Sequence, residues 1–323
     1  MRSRPHRSVI ALGFLLNMGL AFGAERFPER PVRLIMPFAA GGGSDTVGRI
    51  VSQHLSESWK QSVVVDSRLG AGGNIAADLV ARATPDGYTL LFNTAALLVA
   101  PNLYKGLPFD PIRDFTPITK LGFSPAAMLV NPQVKASSVA ELIASAKAQS
   151  NKFSYGSAGI GSAVHLANAL FNIRARINME HIPYKGGNLA LTDLIAGRIQ
   201  VLFSPLGPAV PMAKSGRVTL LAVTTAERSP FAPDVPTISE SGLPGFDFSY
   251  WWGIFAPSKT PPVLVAQLNR DIVKVVEAPA TKAQLAGYGV TAASSTLAEF
   301  AAEIKNELRA WAEVAKIAGI NPQ

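Results

Sequence analysis

Val32-Arg33-Leu34-Ile35-Met36-Pro37-Phe38-Ala39-Ala40-Gly41-Gly42-Gly43-Ser44-Asp45 reads as a short apolar strand that stops at a glycine-rich turn and enters a helix. The strand, 32–37, is rich in β-branched and aliphatic residues, and the following 45–56 has helical spacing of apolar positions. Working outward, the same step recurs. Strands at 62–66 and 88–93 flank a helix at 74–83, and a second series follows: strand 153–156, helix 162–171, strand 178–182, helix 188–196 and strand 200–204. Strands alternating with helices imply mostly parallel sheets covered by helices on both faces, an α/β architecture.

Two apolar strands stand outside this alternation. One is 126–130, closed by Asn131-Pro132, and the other is 250–256, closed by Pro257. Two crossings of this kind imply a middle lobe, 125–248, inserted into a lobe made from both chain ends, 25–124 and 249–323. A cleft between two α/β lobes, with strand C-termini facing it, is a usual place for a small ligand. Outside that plan, 140–148 is amphipathic, with Leu142, Ile143 and Ala146 on one face. Leu297, Phe300, Ile304, Leu308, Trp311 and Val314 mark a C-terminal amphipathic helix.

Composition sets limits. Arg2, Arg4 and Arg7 precede an uncharged apolar run from Val9 to Leu20, and Ala21-Phe22-Gly23-Ala24 offers a cleavage site, the layout of a secretory leader over 1–24. The apolar run is shorter than the roughly 20 residues needed to span a bilayer. The chain has no cysteine, which excludes disulfides, thiol chemistry and a lipid anchor at a cleavage-site cysteine. An exported protein without an anchor is expected in a Gram-negative periplasm. The roughly 300 residues that remain after cleavage exceed a single core, and 48% hydrophobic content is enough for two. Net charge is +8 for the whole chain and +5 once the three leader arginines are gone. The basic residues are scattered, without the clusters that nucleic-acid binding needs. A weak positive field can gather anions or simply aid solubility.

Two strand-to-helix turns carry the chemistry. In Met36 to Asp45, three consecutive glycines let backbone N–H groups converge beside a helix N-terminus, an arrangement that holds carboxylate or phosphate. The same turn can serve close packing alone, with Ser44 only capping the helix. Tyr155-Gly156-Ser157-Ala158-Gly159-Ile160-Gly161-Ser162 is a second element of this type, with hydroxyls at Ser157 and Ser162 and amides at Gly159 and Gly161. His165, one turn into the next helix, reads as a packing residue rather than a ligand contact.

Enzyme signatures are missing. Ala158 breaks G-x-G-x-x-G, no G-x-x-x-x-G-K-[ST] occurs, and Tyr155 two positions before Ser157 breaks the nucleophile elbow G-x-S-x-G. Beyond the leader only His54, His165 and His181 are present, without metal-ligand spacing. No enzyme activity, metal or cofactor is expected.

The chain resembles the Bug-type (TctC) proteins, the solute receptors of tripartite tricarboxylate transporters. The resemblance rests on Pro31 to Phe38, Gly41-Gly42-Gly43-Ser44-Asp45, Gly70-Ala71-Gly72-Gly73-Asn74, Pro85-Asp86-Gly87-Tyr88-Thr89-Leu90, Tyr155-Gly156-Ser157 with His165-Leu166, and Pro183-Tyr184-Lys185-Gly186. It continues through Asp193-Leu194-Ile195-Ala196-Gly197, Leu221-Ala222-Val223-Thr224, Pro233-Asp234-Val235-Pro236-Thr237 and Trp252-Gly253-Ile254-Phe255-Ala256-Pro257. These pieces run in order over nearly all of the exported chain. Ala40 stands where many members carry proline, a change that leaves the amide turn intact.

The resemblance implies a two-lobed periplasmic binding protein of the type II, Venus-flytrap kind that binds a small carboxylate without transforming it. It implies contacts from Phe38, Ala39, Gly42, Gly43, Ser44 and Asp45, with Asn93, Thr94 and Ala95 on the same wall. From the second lobe come Ser157, Ala158, Gly159, Gly161 and Ser162, with Lys185, Gly186 and Ser204 as outer candidates. Asp193 also matches, although its mid-helix place suits a structural acid equally well. The expected partners are a small organic acid and either membrane transporter subunits or a sensor protein, with the receptor a monomer. A signalling receptor and a periplasmic enzyme are the alternatives.

Overall fold

In the computed structural model, which describes residues 27–149, 152–160, 162–317 and 322, the quoted stretch forms β1 (Val32–Met36) and α1 (Gly43–Trp59). The secretory leader expected over 1–24 lies outside the described residues. β1 is buried except at Arg33, as a strand covered on both faces must be. Val47, Ile50, Val51 and Leu55 form the buried face of α1. Gly48 lets the helix approach the sheet, because a Cβ there would lie 2.5 Å from the Met36 side chain.

The alternation continues through β2 (Val63–Ser67), α2 (Asn74–Ala81), β3 (Thr89–Asn93) and α3 (Ala96–Leu103). β1 pairs in parallel with both β2 and β3. The next strand, β4 (Phe115–Val130), is 16 residues long. The middle segment then supplies α4 (Val139–Ala148), β5 (Ser154–Ser157), α5 (Ala163–Ala175), β6 (Glu180–Pro183), α6 (Gly187–Ile195), β7 (Val201–Pro205), α7 (Leu206–Lys214) and β8 (Thr219–Val223). The chain ends with β9 (Ser249–Pro257), α8 (Pro262–Glu277), α9 (Pro279–Ala286), β10 (Thr291–Ala292) and α10 (Leu297–Ile317).

The strand order is β2-β1-β3-β9-β4-β7-β5-β6, with β8 and β10 also on β4. β4 joins two sheets. Its Phe115–Pro125 part runs antiparallel to β9, and its Ala126–Val130 part runs antiparallel to β7 and β8. The strand expected at 126–130 is therefore the second half of a longer one. Its first half was hidden by Pro117, Gly122 and Pro125, which fall where the pairing with β9 slips or ends. β4 is thus a crossing strand, but β9 is not: among the described residues it pairs with β3 and β4 in the first sheet alone. The chain returns just before it, where Phe248 N donates to Thr224 O at 2.9 Å.

Parallel pairs β5–β6 and β5–β7 make the second lobe a copy in miniature of the first. α10 closes the first lobe, with Phe300 buried edge-on to Trp251 at 5.6 Å. Among the described residues no helix is long and apolar enough to cross a membrane.

Candidate functional site

Both lobes present the C-terminal ends of parallel strands, and the turns there differ in how they satisfy their own polar groups. At the end of β1, Gly41 has a φ of +81° and its N–H donates to Asp45 Oδ2 at 3.0 Å. Asp45 is 4% exposed and also accepts from Arg49 Nε at 2.9 and 3.0 Å. Burial raises the Asp45 pKa, but the Arg49 and Gly41 hydrogen bonds outweigh it and hold the carboxyl below the usual carboxylate range. Asp45 therefore shapes the turn, with its charge balanced by Arg49, and its two oxygens are already engaged.

α1 begins without help from a side chain. Its N-cap is Gly42, extended at φ −83° and ψ 164°, and among the described residues no side chain caps the first turn. The N–H groups of the first turn of a helix lack intrahelical partners and sit at the positive end of its dipole. A Cβ on Gly41 would meet nothing within 4 Å, and one on Gly42 would meet only Ala39 O of its own turn, at 3.6 Å. Open space in front of these glycines distinguishes them from Gly48, which is glycine for packing. Ser44 accepts from Trp252 Nε1 at 2.9 Å, a contact that leaves the serine proton to be donated elsewhere.

The neighbouring wall is formed at the end of β3, where Asn93, Thr94 and Ala95 are 2%, 5% and 6% exposed. Asn93 Oδ1 accepts from Thr94 N at 2.8 Å, and Thr94 Oγ1 from Ala96 N at 3.3 Å. Phe38 is half-buried and packs edge-on to Phe92 at 6.0 Å, while Ala39 is exposed.

The second-lobe turn is wired to itself. Ser157 is fully buried, and its Oγ lies 3.1 Å from both Gly159 N and Gly159 O and 2.7 Å from His181 Nε2. Ser162 caps α5 by accepting from His165 N at 3.3 Å, and donates its hydroxyl to Gly159 O at 2.7 Å. The sequence suggests free donors here; the structure shows both hydroxyls and the Gly159 N–H turned inward. Ala158 is half-buried in this turn, and Gly161 lies outside the described residues.

His165 is 8% exposed and stacks on His181 at 4.2 Å, in keeping with a packing role, and Tyr155 extends the stack. Burial lowers both imidazoles to about 4, with His181 adding to the effect on His165.

At the end of β6 the open arrangement returns. α6 starts at Gly187 behind an extended N-cap, Gly186, and among the described residues no side chain caps it. Cβ atoms on Gly186 or Gly187 would meet nothing within 4 Å. Lys185 beside them is exposed. Asp193 is not aimed at this space: Oδ2 accepts from Tyr184 Oη and Oδ1 from Arg198 Nη1, each at 2.8 Å, which pins the turn from behind. Ser204, 8% exposed, is the penultimate residue of β7 and its hydroxyl donates to Pro205 O at 3.4 Å.

The two lobes meet where Gly43 faces Pro205, a Cβ on the glycine lying 3.6 Å from the proline ring. Sequence reasoning gave no role to Trp252, Pro205 or Gly187. Trp252 sat inside a quoted motif, and Gly187 immediately follows one, but neither type nor spacing signals a part in the cleft. Among the described residues no group of three or more His, Cys, Asp or Glu is placed to hold a metal ion.

Residues 47–320 match the model of the tripartite tricarboxylate transporter family receptor. A UPF0065 protein from the tcbD–tcbE intergenic region of Pseudomonas sp. strain P51 is 37% identical, over 94% of this chain and 90% of that protein. A Rhodopseudomonas palustris protein solved with adipate has a TM-score of 0.86 and 34% identity, covering 92% of this chain and all of the other. MatC of the same organism, solved with malate, has a TM-score of 0.81 and 31% identity, covering 90% of this chain and all of the other.

Proposed function

Because the chain belongs to the receptor family of tripartite tricarboxylate transporters, whose members are solute-binding proteins rather than enzymes, we propose that its cleft captures a small organic acid through backbone amides. The observation that carries the reading is that, of the helix N-termini without a side-chain cap, α1 and α6 are entered through glycines whose Cβ positions open on space, whereas the glycines before α2 are filled by Tyr104 and Pro37. Gly42, Gly43 and Ser44 supply the first set of donors. Lys185 and Gly186 supply the second, and Asn93, Thr94 and Ala95 line the wall between them. Asp45 and Asp193 hold the two turns in shape, and Ser157, Ala158, Gly159 and Ser162 form a side of the cleft. Ser204 lines its floor near Pro205.

The lobes are 25–124 with 249–323, and 125–248. The protein acts in the periplasm after loss of residues 1–24, as a monomer that hands its ligand to membrane transporter subunits. Adipate and malate, bound by its relatives, are the first acids to try.

A ligand bound only to the folded state adds RT ln(1 + [L]/Kd), about 2.7 kcal/mol at 100 Kd. A thermal-shift screen of mono-, di- and tricarboxylates is expected to find an acid that raises the melting temperature by several degrees, while its amide does not. Equal shifts from acid and amide would overturn the amide mechanism.

A further inference from the structure

We infer that His181 is the positioning residue of the second-lobe turn: as a hydrogen-bond acceptor for Ser157 it fixes the conformation of residues 157–160, the wall against which the open α6 N-terminus is set. The argument is a count of protons and lone pairs. A serine hydroxyl gives one proton and accepts up to two, and a carbonyl oxygen offers two lone pairs. Gly159 O already takes the Ser162 hydroxyl at 2.7 Å and Ser162 N at 3.2 Å. Its lone pairs are filled, so it is a poor acceptor for Ser157 at 3.1 Å. Gly159 N occupies one lone pair of the Ser157 oxygen, also at 3.1 Å. The remaining partner is His181 Nε2 at 2.7 Å, the shortest of the three contacts. The Ser157 proton therefore goes to Nε2, and His181 carries its own proton on Nδ1.

Three elements hold the imidazole in that pose. It lies between Tyr155 of β5, 4.9 Å away at 19°, and His165 of α5, 4.2 Å away at 24°, while His181 itself is anchored in β6 by its pairing with Tyr155. Burial keeps the ring neutral down to about pH 4, so Nε2 stays available as an acceptor through the neutral range. The turn it fixes needs such a key. Gly159 sits at φ +120°, a strained region for any other residue, and packs 3.5 Å (measured from a Cβ position) from Tyr184 O, the residue before Lys185-Gly186-Gly187. Tyr184 N in turn donates to Ser157 O at 3.0 Å. A loosened Ser157 would thus loosen both turns of the second lobe. The consequence for ligand capture rests on the carboxylate reading above; the positioning itself does not.

Two measurements on the exported, ligand-free protein test it. Long-range proton–nitrogen NMR is expected to show His181 as the Nδ1–H tautomer; an Nε2–H tautomer would overturn the inference. Amide exchange of Gly159 is then compared in three variants. His181→Phe keeps an aromatic ring in the stack but has no acceptor, and Ser157→Ala removes the hydroxyl; both are expected to speed exchange at least tenfold. His181→Gln can present its carbonyl oxygen to Ser157 and is expected to stay within about threefold of wild type. Unchanged exchange in the phenylalanine variant, or equal acceleration in phenylalanine and glutamine, would leave only ring packing and sink the idea. If His181→Phe does not fold, the wild-type tautomer and the glutamine and Ser157→Ala variants still decide. Neither readout needs a ligand, so a failed acid screen would count against the carboxylate reading and not against this one.

Discussion

The turns after β1 and β5 look alike as text, each a run of glycine and serine between a strand and a helix, yet the folded protein uses them in opposite ways. The first is held by a charged key, Asp45, whose carboxylate clasps Gly41 N and is balanced by Arg49. That arrangement leaves the first turn of α1 uncapped by any side chain among the described residues. The second is held by a neutral key, His181, and spends its own hydroxyls and the Gly159 N–H on itself. On the carboxylate reading proposed above, a glycine-rich turn serves as a donor site only when the helix behind it is left without a cap, and in the second lobe that reading falls on the turn before α6, one strand further out.

The largest effect that separates the two turns comes from valine at their glycines. Gly43 lies outside the positive-φ residues, and a Cβ there is at ordinary contact distance, 3.6 Å, from Pro205. Gly43→Val should therefore fold almost normally while its branches crowd the α1 amides. A loss of at least tenfold in acid affinity, about 1.4 kcal/mol, is expected with an unliganded melting point near wild type. Gly159→Val is different, because φ +120° is strained for valine, so stability and binding should fall together. Calorimetry of both proteins with and without acid checks this. A Gly43→Val protein as unstable as Gly159→Val would erase the contrast.

Acid should act next, and on one turn before the other. His165 and His181 sit at about 4 in the fold against 6.5 ordinarily, so the unfolded chain takes up protons first as pH falls. The stability they contribute is complete above about pH 6.5 and is lost between there and about 4. For His165, the more deeply buried, that loss is on the order of 2 kcal/mol. Asp45 is also lowered, but from 3.8, so its contribution holds through this window and disappears only at lower pH. Urea unfolding from pH 7.5 to 4 should show the decline, flattened in His165→Phe and unaltered in Arg49→Ala. A decline equally flattened by Arg49→Ala would place the titration in the first lobe.

Much of this architecture was legible, and the failures have common causes. The β1–α1 step, the helices at 74–83 and 188–196 and the C-terminal helix followed from periodicity, because their apolar faces pack directly on a sheet. α3 and α7 went unread because Pro101 and Pro211 lie inside them, where tertiary packing overrides the usual break. The first half of β4 was unread because its pairing slips between Pro117 and Thr119 and again between Lys120 and Gly122. At the site, the glycines before α1 were legible, since only backbone freedom explains three in a row. The inward bonds of Ser157 and Asp193 were not, because donor or acceptor direction depends on His181 and Tyr184, more than eight residues away in sequence. Residue type names what a group can do, and the fold decides for whom.

The smallest effect is at Ser162, and it asks whether that hydroxyl serves the helix or the ligand. Its Oγ accepts from His165 N and donates to Gly159 O, so the structure assigns it to the cap of α5. Alanine at an N-cap costs about 1 kcal/mol, whereas glycine costs only a few tenths, since either exposes the turn but glycine leaves the N–H groups open to water. For a chain of this size 1 kcal/mol corresponds to roughly 2–4 °C in melting temperature. Ser162→Ala is therefore expected to melt a few degrees low and Ser162→Gly close to wild type, with acid affinity in both within about threefold of normal. A hydroxyl that instead donates to the acid would give a different pattern: alanine and glycine would lose the same hydrogen bond, about 0.5–1.5 kcal/mol, and weaken binding alike. Equal weakening in the two variants, with melting unchanged, would move Ser162 back among the ligand contacts and make the second turn a donor site like the first.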